Sequence, residues 1–224
     1  MVFSIIHPSR GRPEKSRSTF KRWFERASSN NYQWIASLDH DDPKLLEYDY
    51  INPLVSANRS VVDAINNGAK VATGDIFIVV SDDTDCTDGW DKKLLSIVAG
   101  KTDFILKTAD GIQPWILTNP ILDRKYYERF GYIYHPEYKH CFCDTELTCV
   151  ADITGRKIKS DLLFKHNHYS VTKEKPDEVS KRADATWDHG EKLFLERYKR
   201  NFDLPQGGKI EDMSMIRWLE RKAR

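Results

Sequence analysis

The 224-residue sequence predicts an α/β fold with a central, mostly parallel sheet that is flanked by helices. Strand-like and helix-like stretches alternate along the first half of the chain, as in βαβ units. One stretch, residues 76–80, is apolar throughout, which is typical of a strand covered by helices on both faces. Three predicted strands of this half end in polar loops, and ligands of parallel sheets bind beside such loops.

Local patterns give the elements of the first half in order. A β-branched run opens the chain and ends at a turn between Pro8 and Pro13. Gly74 follows a helical periodicity and serves as its stop signal. We predict strands over 2–6, 32–38, 76–80 and 104–106, and helices over 14–27, 58–72 and 90–98.

The second half is less regular. Helical periodicity returns from about 184 to 202 and again from 215 to 222. The first of these stretches carries basic residues that predict either a solvated helix face or the flank of an acceptor groove, namely Lys192, Arg197, Lys199 and Arg200. No second apolar core is apparent, so we predict a single domain over 1–224.

Composition excludes several classes of protein. The hydrophobic share of 40% is too high for a disordered chain, and the charged share of 31% is too high for a membrane protein. A net charge of +1 argues against nucleic-acid binding over the whole surface. The N-terminus does not have the pattern of a signal peptide, and the four cysteines lack zinc-site spacing. We therefore predict a cytoplasmic protein with reduced thiols.

The loops after three predicted strands should converge, because the carboxyl ends of parallel strands meet at one edge of a sheet. Asp82, Asp83 and Asp85 follow the buried strand at this edge. Carboxylates crowded into one turn repel one another unless a cation lies among them, and Mg²⁺ or Mn²⁺ suits such a site together with substrate phosphates. The alternative is a solvated turn with helix-capping aspartates; the position after a buried strand favours the metal site.

The first two loops carry further candidates. Arg10 and Arg12 suit a phosphate or a planar base, although a loop of this kind is often only surface. Asp39 ends the second strand, where its carboxylate could accept hydrogen bonds from a base or ribose. Alternatively, Asp39 or Asp42 caps a short helix through residues 44–46.

The second half supplies two more candidates. Asp144 lies in a mostly apolar segment and could act as a general base, as the N-cap of a helix to residue 151, or as both. His166 and His168 would share one side of an extended segment, where they could contact a metal or phosphate or be structural.

The ordered set of motifs resembles glycosyltransferase family 2 and related enzymes with the GT-A fold. Residues 3–13 resemble their first strand and Pro-Thr/Ser-x-Asn-Arg-Pro loop, and residues 66–75 resemble the segment before their third strand. Residues 76–83 resemble that strand and its aspartate-rich metal motif, and Cys143-Asp144 resembles the acidic dipeptide that contains the catalytic base. The Ser-Arg-Gly-Arg-Pro form of the first loop and the small size resemble those of viral and phage members. The sequence departs from the family at Gly11, Ser81 and Cys143, which stand where Asn, Asp and Glu are usual.

The resemblance implies a metal-dependent, inverting glycosyltransferase. It would move a sugar from a nucleoside diphosphate sugar, expected to be a UDP-sugar, to a hydroxyl of a glycan or of a modified DNA base. Asp144 would be the catalytic base. Mn²⁺ or Mg²⁺ would be held by Asp83, Asp85 and His168. The donor would contact Pro8, Ser9, Arg10, Arg12, Asp39, Asn67 and Asp82.

The same resemblance divides the domain by task. Residues 1–110 would bind the nucleotide sugar, residues 111–170 would supply the base and contact the acceptor, and residues 171–224 would form a C-terminal helical extension. Two alternatives stay open: a nucleotidyltransferase of GT-A-like fold, and a module that binds nucleotide sugars without turnover. The first loop has only one glycine, which speaks against the nucleotidyltransferase.

Overall fold

A computed structural model provides the structure, and it describes residues 1–205 and 207–222. Gln206, Ala223 and Arg224, which belong to the predicted C-terminal extension, lie outside the described residues. The strands are β1 (Phe3–Ser9), β2 (Tyr32–Asp39), β3 (Leu54–Ser56), β4 (Ile76–Val79), β5 (Thr84–Cys86), β6 (Ile105–Ala109), β7 (Ile121–Asp123) and β8 (Lys157–His166). The helices are α1 (Pro13–Glu25), α2 (Val61–Val71), α3 (Trp90–Val98), α4 (Arg124–Glu128), α5 (Cys143–Ile153), α6 (Tyr169–Thr172), α7 (Glu178–Asp184), α8 (Trp187–Lys199) and α9 (Ser214–Lys222).

The strands form one mostly parallel sheet in the order β3-β2-β1-β4-β7-β6-β8-β5. Neighbours are parallel from β3 to β4, and β6 is parallel to β8. Strand β7 is antiparallel to both of its neighbours, and β5 is antiparallel to β8. The predicted sheet is confirmed, whereas β3, β5, β7 and β8 were not predicted. Strands β3, β5 and β7 have only three residues each, too few to show a period.

Helices cover both faces of the sheet. Phe77 and Val79 pack on the face that holds α2, α5 and α8, while Ile76 and Ile78 pack with Trp23 of α1 on the opposite face. Burial on both sides explains why β4 is apolar at every position. All four cysteines are free. Among the described residues, no helix has the length and apolarity needed to cross a membrane.

The helix predicted over 184–202 is interrupted at both ends. Helix α7 ends at Asp184, and α8 begins at Trp187. Helix α8 ends at Lys199, close before Asn201 and Phe202, whose φ angles of 54° and 53° are not helical. The short helix predicted near residue 45 is a single 3₁₀ turn, Leu45–Glu47.

Arg197 corrects the predicted basic face of α8. Its side chain is buried, and Nε donates a hydrogen bond to Glu146 of α5 at 2.8 Å. The other basic residues of the stretch are exposed, namely Lys192, Lys199 and Arg200. Helix α8 is therefore fastened to α5 by a buried ion pair.

Gly190 marks the closest approach of α8 to the loop before α5. A Cβ added at Gly190 would lie 2.2 Å from the carbonyl oxygen of Cys141, so the backbone would have to move. Overpacking of this kind costs about 1–3 kcal/mol. We expect Gly190→Ala to lower the free energy of unfolding by about that amount in urea denaturation, and Lys192→Ala to change it by less than about 0.5 kcal/mol. An unchanged midpoint for Gly190→Ala would show that the two segments separate without cost.

Candidate active site

The carboxyl ends of β1, β2 and β4 bring the three predicted loops together. His7 Nε2 lies 2.9 Å from Asp82 Oδ1, and Ser9 Oγ donates to Asp82 Oδ2 at 3.0 Å. Arg10 Nη1 donates to Asp39 Oδ2 at 2.8 Å. The first loop is thus bonded to the loops after both neighbouring strands, as the parallel topology requires.

Asp82 has a structural role at this edge of the sheet, because it joins the loop after β4 to β1. Its side chain is buried, and its two carboxylate oxygens are taken up by His7 and Ser9 of β1. Thr19 of α1 donates to its carbonyl oxygen at 2.7 Å. Pro8 is likewise buried within β1. These contacts hold the first loop against the end of β4 and leave the next residue, Asp83, as the carboxylate of the turn that faces the site.

Asp83 forms a pair with His166, the last residue of β8. Asp83 Oδ2 lies 3.4 Å from His166 Nε2, and Ser81 Oγ donates to Asp83 Oδ1 at 2.5 Å. Desolvation opposes ionisation of both groups, but the interaction of each with the other lowers the pKa of Asp83 and raises the pKa of His166. The pair is therefore a carboxylate facing an imidazole at the carboxyl edge of the sheet.

Asp85 does not join this pair. Because residues 84–86 form β5, with Thr84 and Cys86 buried, Asp85 points away from them. Its carboxylate accepts a hydrogen bond at 2.6 Å from Nη1 of Arg26, the residue after α1, and lies 3.3 Å from Nε of Arg22 in α1. We therefore remove Asp85 from the proposed metal ligands.

His168 lies beside the pair but has a local partner. Its ring centroid is 5.3 Å from that of His166, and its Nδ1 lies 2.8 Å from Ser170 Oγ, where it caps α6. Across the two described stretches of chain, no group of three His, Cys, Asp or Glu side chains has the arrangement of a metal site. A divalent ion can still be held by one or two protein ligands when substrate phosphates supply the others. The carboxylate of Asp83 and the imidazole of His166 fit that arrangement.

Asp144 lies in the first turn of α5 rather than at its N-cap, which corrects the capping interpretation. Phe142 occupies the N-cap position with a φ of 71°, and Asp144 Oδ1 accepts the backbone N–H of Thr145 at 2.8 Å. Desolvation by the surrounding protein raises the pKa of Asp144 above its ordinary value, although the side chain remains partly accessible. A carboxylate in this state is a stronger base than one in open solvent.

A chain of hydrogen-bonded side chains links three of the predicted donor-binding residues, Arg10, Asp39 and Asn67. Asn58 Nδ2 donates to Asp39 Oδ1 at 3.0 Å, and Asn67 Nδ2 donates to Asn58 Oδ1 at 2.8 Å. Asn67 thus reaches Asp39 through Asn58, which the sequence analysis missed. Arg10 completes the chain from the other side of Asp39.

Two further residues of the site gave no sequence signal. The Tyr48 hydroxyl lies 3.0 Å from Ser9 Oγ and accepts the backbone N–H of Arg12 at 3.1 Å, so it braces the first loop at two points. His140 lies just before α5; desolvation lowers its pKa, while the charges of Asp184 and Asp83 act in the opposite direction. Neither residue belongs to a periodic pattern or a motif, and only the fold places them here.

A cavity of about 470 Å³ opens beside the end of β6, lined by residues 107–114 and 159–161. Its wall includes Asp110, whose carbonyl accepts the backbone N–H of His166 at 2.9 Å. The cavity therefore adjoins the strand end that carries His166.

Comparison with solved structures identifies the fold. The mannosyltransferase PcManGT from Pyrobaculum calidifontis, in complex with GDP-Man and Mn²⁺, superposes with a TM-score of 0.68 at 9% identity, over 97% of this chain and 68% of that one. S. aureus TarS 1–349 gives 0.61 at 15% identity over 91% and 72%, and its complex with UDP-GlcNAc gives 0.59 at 14% over 91% and 73%. No protein-family model and no curated protein sequence matches the chain.

These neighbours are GT-A-type glycosyltransferases, so the GT-A fold predicted from the sequence is confirmed. At such low identities the similarity establishes the fold alone. The activity has to be argued from the residues at the carboxyl edge of the sheet.

Proposed function

We propose that the protein is a glycosyltransferase that uses a nucleoside diphosphate sugar as donor. The observation that carries the proposal is the Asp83–His166 pair at the carboxyl end of the parallel sheet. Arg10 and Asp39, which are hydrogen-bonded to each other, lie at the same edge of the sheet. This is the edge at which parallel sheets bind ligands. The arginines of the first loop suit a diphosphate or a base.

The donor would lie across the ends of β1, β2 and β4. Asp39 would contact the base or ribose, and Arg12 the diphosphate. Asp83 and His166 would hold Mn²⁺ or Mg²⁺, which would neutralise the charge that grows on the leaving diphosphate. The solved complexes of similar fold support this donor class, since they contain GDP-Man with Mn²⁺ and UDP-GlcNAc. We propose a UDP-sugar for this chain.

Asp144 would act as the general base. Its carboxylate takes the proton of an acceptor hydroxyl while that oxygen forms a bond to the anomeric carbon. The bond from this carbon to the diphosphate breaks with its electron pair on the diphosphate, and attack from the opposite side inverts the centre. The cavity beside β6 offers room for the acceptor, a glycan or a modified DNA base.

The remaining expectations belong to the same proposal. Residues 1–110 bind the donor, residues 111–170 carry the base and the acceptor wall, and residues 171–224 form a helical extension. A cytoplasmic location and a relationship to small viral and phage enzymes accord with the composition and the first-loop motif.

A thermal-shift series tests donor and metal together. A ligand at about 100 times its dissociation constant adds about 2.7 kcal/mol to the free energy of unfolding. We expect UDP or GDP to raise the melting temperature with Mn²⁺ present, and EDTA to remove the rise. Asp83→Asn should lose this response, whereas Asp85→Asn should keep it because Asp85 pairs with α1.

Three outcomes would contradict the proposal: a nucleotide response that is indifferent to EDTA, an Asp83→Asn variant that responds normally, or release of pyrophosphate from a nucleoside triphosphate and a sugar phosphate. The last would identify a nucleotidyltransferase.

A further inference from the structure

Residues 167–186, called the strap below, run from the loop after β4 to the loop before α5. At its start, the backbone N–H of Asn167 donates to the carbonyl of Asp83 at 2.9 Å. At its end, the backbone N–H of Cys141 donates to Thr186 Oγ1 at 3.1 Å. The strap therefore begins at the loop after β4 and ends at the loop before α5, so it joins the two walls of the site.

Between these ends, the strap contacts the first loop through Arg12. Arg12 Nε donates to Asp177 Oδ2 at 2.7 Å, and Nη2 donates to Asp177 Oδ1 and to Ser180 Oγ. A two-pronged charged pair of this kind fixes the plane of the guanidinium group. Among the described residues, Arg12 Nη1 has no hydrogen-bond partner, which leaves two N–H donors for a ligand.

The charges around Arg12 come from the strap and from the end of β4. Desolvation is the largest single effect and opposes its charge, but the hydrogen bond to Asp177 and the attraction of Asp177, Asp82 and Asp83 together raise the pKa of Arg12. The guanidinium group is therefore held by Asp177 and is also attracted by the carboxylates at the end of β4.

The strap has little else to hold it. None of residues 169–186 is buried, so no apolar anchor fixes α7 in place. Its other contact with the start of α1 is the exposed ion pair of Lys15 and Glu174 at 3.7 Å. Segments with few buried contacts open at small cost, so a single well-formed pair can decide their position.

We infer that Asp177 is a positioning residue for Arg12: it holds the guanidinium group with Nη1 directed to the diphosphate of the donor, and thereby couples donor binding to closure of the strap. The inference rests on the proposed function, because it requires a diphosphate at Arg12. Neither Arg12 nor the strap needs to move a proton for this role.

The first test measures nucleotide affinity. Asp177→Asn removes the charge but keeps a side chain that caps helices well, so α7 can form. We expect the dissociation constant of UDP or GDP with Mn²⁺ to rise about 3- to 10-fold, a usual size for the coupling of neighbouring groups. The turnover number of donor hydrolysis should stay within about twofold, and Asp177→Glu should restore part of the affinity. Glu174→Gln makes the same charge change on the same strap and should leave the affinity unchanged.

The second test measures strap closure by limited proteolysis. Lys173, Lys181 and Arg182 are exposed on the strap and are sites for trypsin. UDP or GDP with Mn²⁺ should slow cleavage there several-fold in the wild type and in Glu174→Gln, but not in Asp177→Asn.

The outcomes separate this inference from the proposed function. If the wild type binds neither UDP nor GDP, both fail. If the wild type binds a nucleotide and Asp177→Asn binds it equally well, the proposed function stands and the inference is wrong. Tighter binding by Asp177→Asn would also overturn the inference, since Asp177 would then compete with the diphosphate for Arg12.

Discussion

Replacing Asp144 with asparagine is expected to lower the turnover number of sugar transfer about 10²–10⁴-fold, the usual contribution of a general base. The amide has nearly the same shape but cannot take the proton of the acceptor hydroxyl. Since Asp144 belongs to α5 and not to the loops around β1 and β4, the dissociation constant of UDP or GDP should stay within about twofold. Initial rates of nucleoside diphosphate release and calorimetric titration measure the two quantities.

The pH dependence of the same reaction provides a second readout. Desolvation raises the pKa of Asp144, and only the ionised carboxylate can accept a proton. Turnover should therefore be complete above this raised pKa and decline as the pH falls through it, and Asp144→Asn should lose that decline. Asp188→Asn, an exposed change on α8, serves as the control. Normal turnover in Asp144→Asn would assign the base to another residue.

The meeting of the loops at one edge could be predicted from the sequence because it follows from topology. Once 2–6, 32–38 and 76–80 are assigned to parallel strands, their carboxyl ends have to lie side by side. The structure places Ser9 against Asp82, and Arg10 against Asp39, in accord with that rule. No side-chain geometry was needed for this step.

The directions in which individual side chains point could not be predicted from the sequence. Asp83 and Asp85 look equivalent in an acidic turn, but the start of β5 between them turns Asp85 to two arginines at the C-terminal end of α1. The pairing of Arg12 with Asp177 spans 165 residues, and neither partner belongs to a periodic pattern that points to the other. Such contacts arise only when the second half of the chain packs onto the first.

Arg197 is a second residue whose side-chain position could not be predicted from the sequence, in this case within the core. A basic residue in a helical stretch predicts an exposed position, yet its side chain is buried against Glu146, 51 residues away. Glu146 accepts hydrogen bonds from Arg197 Nε and, at 2.8 Å, from the hydroxyl of Tyr138. Because Glu146 lies two residues after Asp144 in α5, the pair also fixes the helix that presents the proposed base.

Arg197→Met is therefore expected to lower the free energy of unfolding by about 3–5 kcal/mol, because it leaves the carboxylate of Glu146 buried without its cation. The side chain of Asp203, the other partner of Arg197, is 55% exposed, so water can hydrate its carboxylate at little cost when the arginine is removed. Urea denaturation measures the loss. Lys199→Met removes an exposed charge from the same helix and should change stability by less than about 0.5 kcal/mol.

The double variant Glu146→Gln with Arg197→Met separates a charge effect from a packing effect. If the cost arises from an unpaired charge, the neutral amide removes its cause, and the double variant should be more stable than Arg197→Met alone by about 1–3 kcal/mol. Purely additive losses would mean that the methionine is simply a poor fit between α5 and α8. In that case the ion pair would contribute nothing specific to the placement of α5, and Asp144 would depend on apolar packing alone.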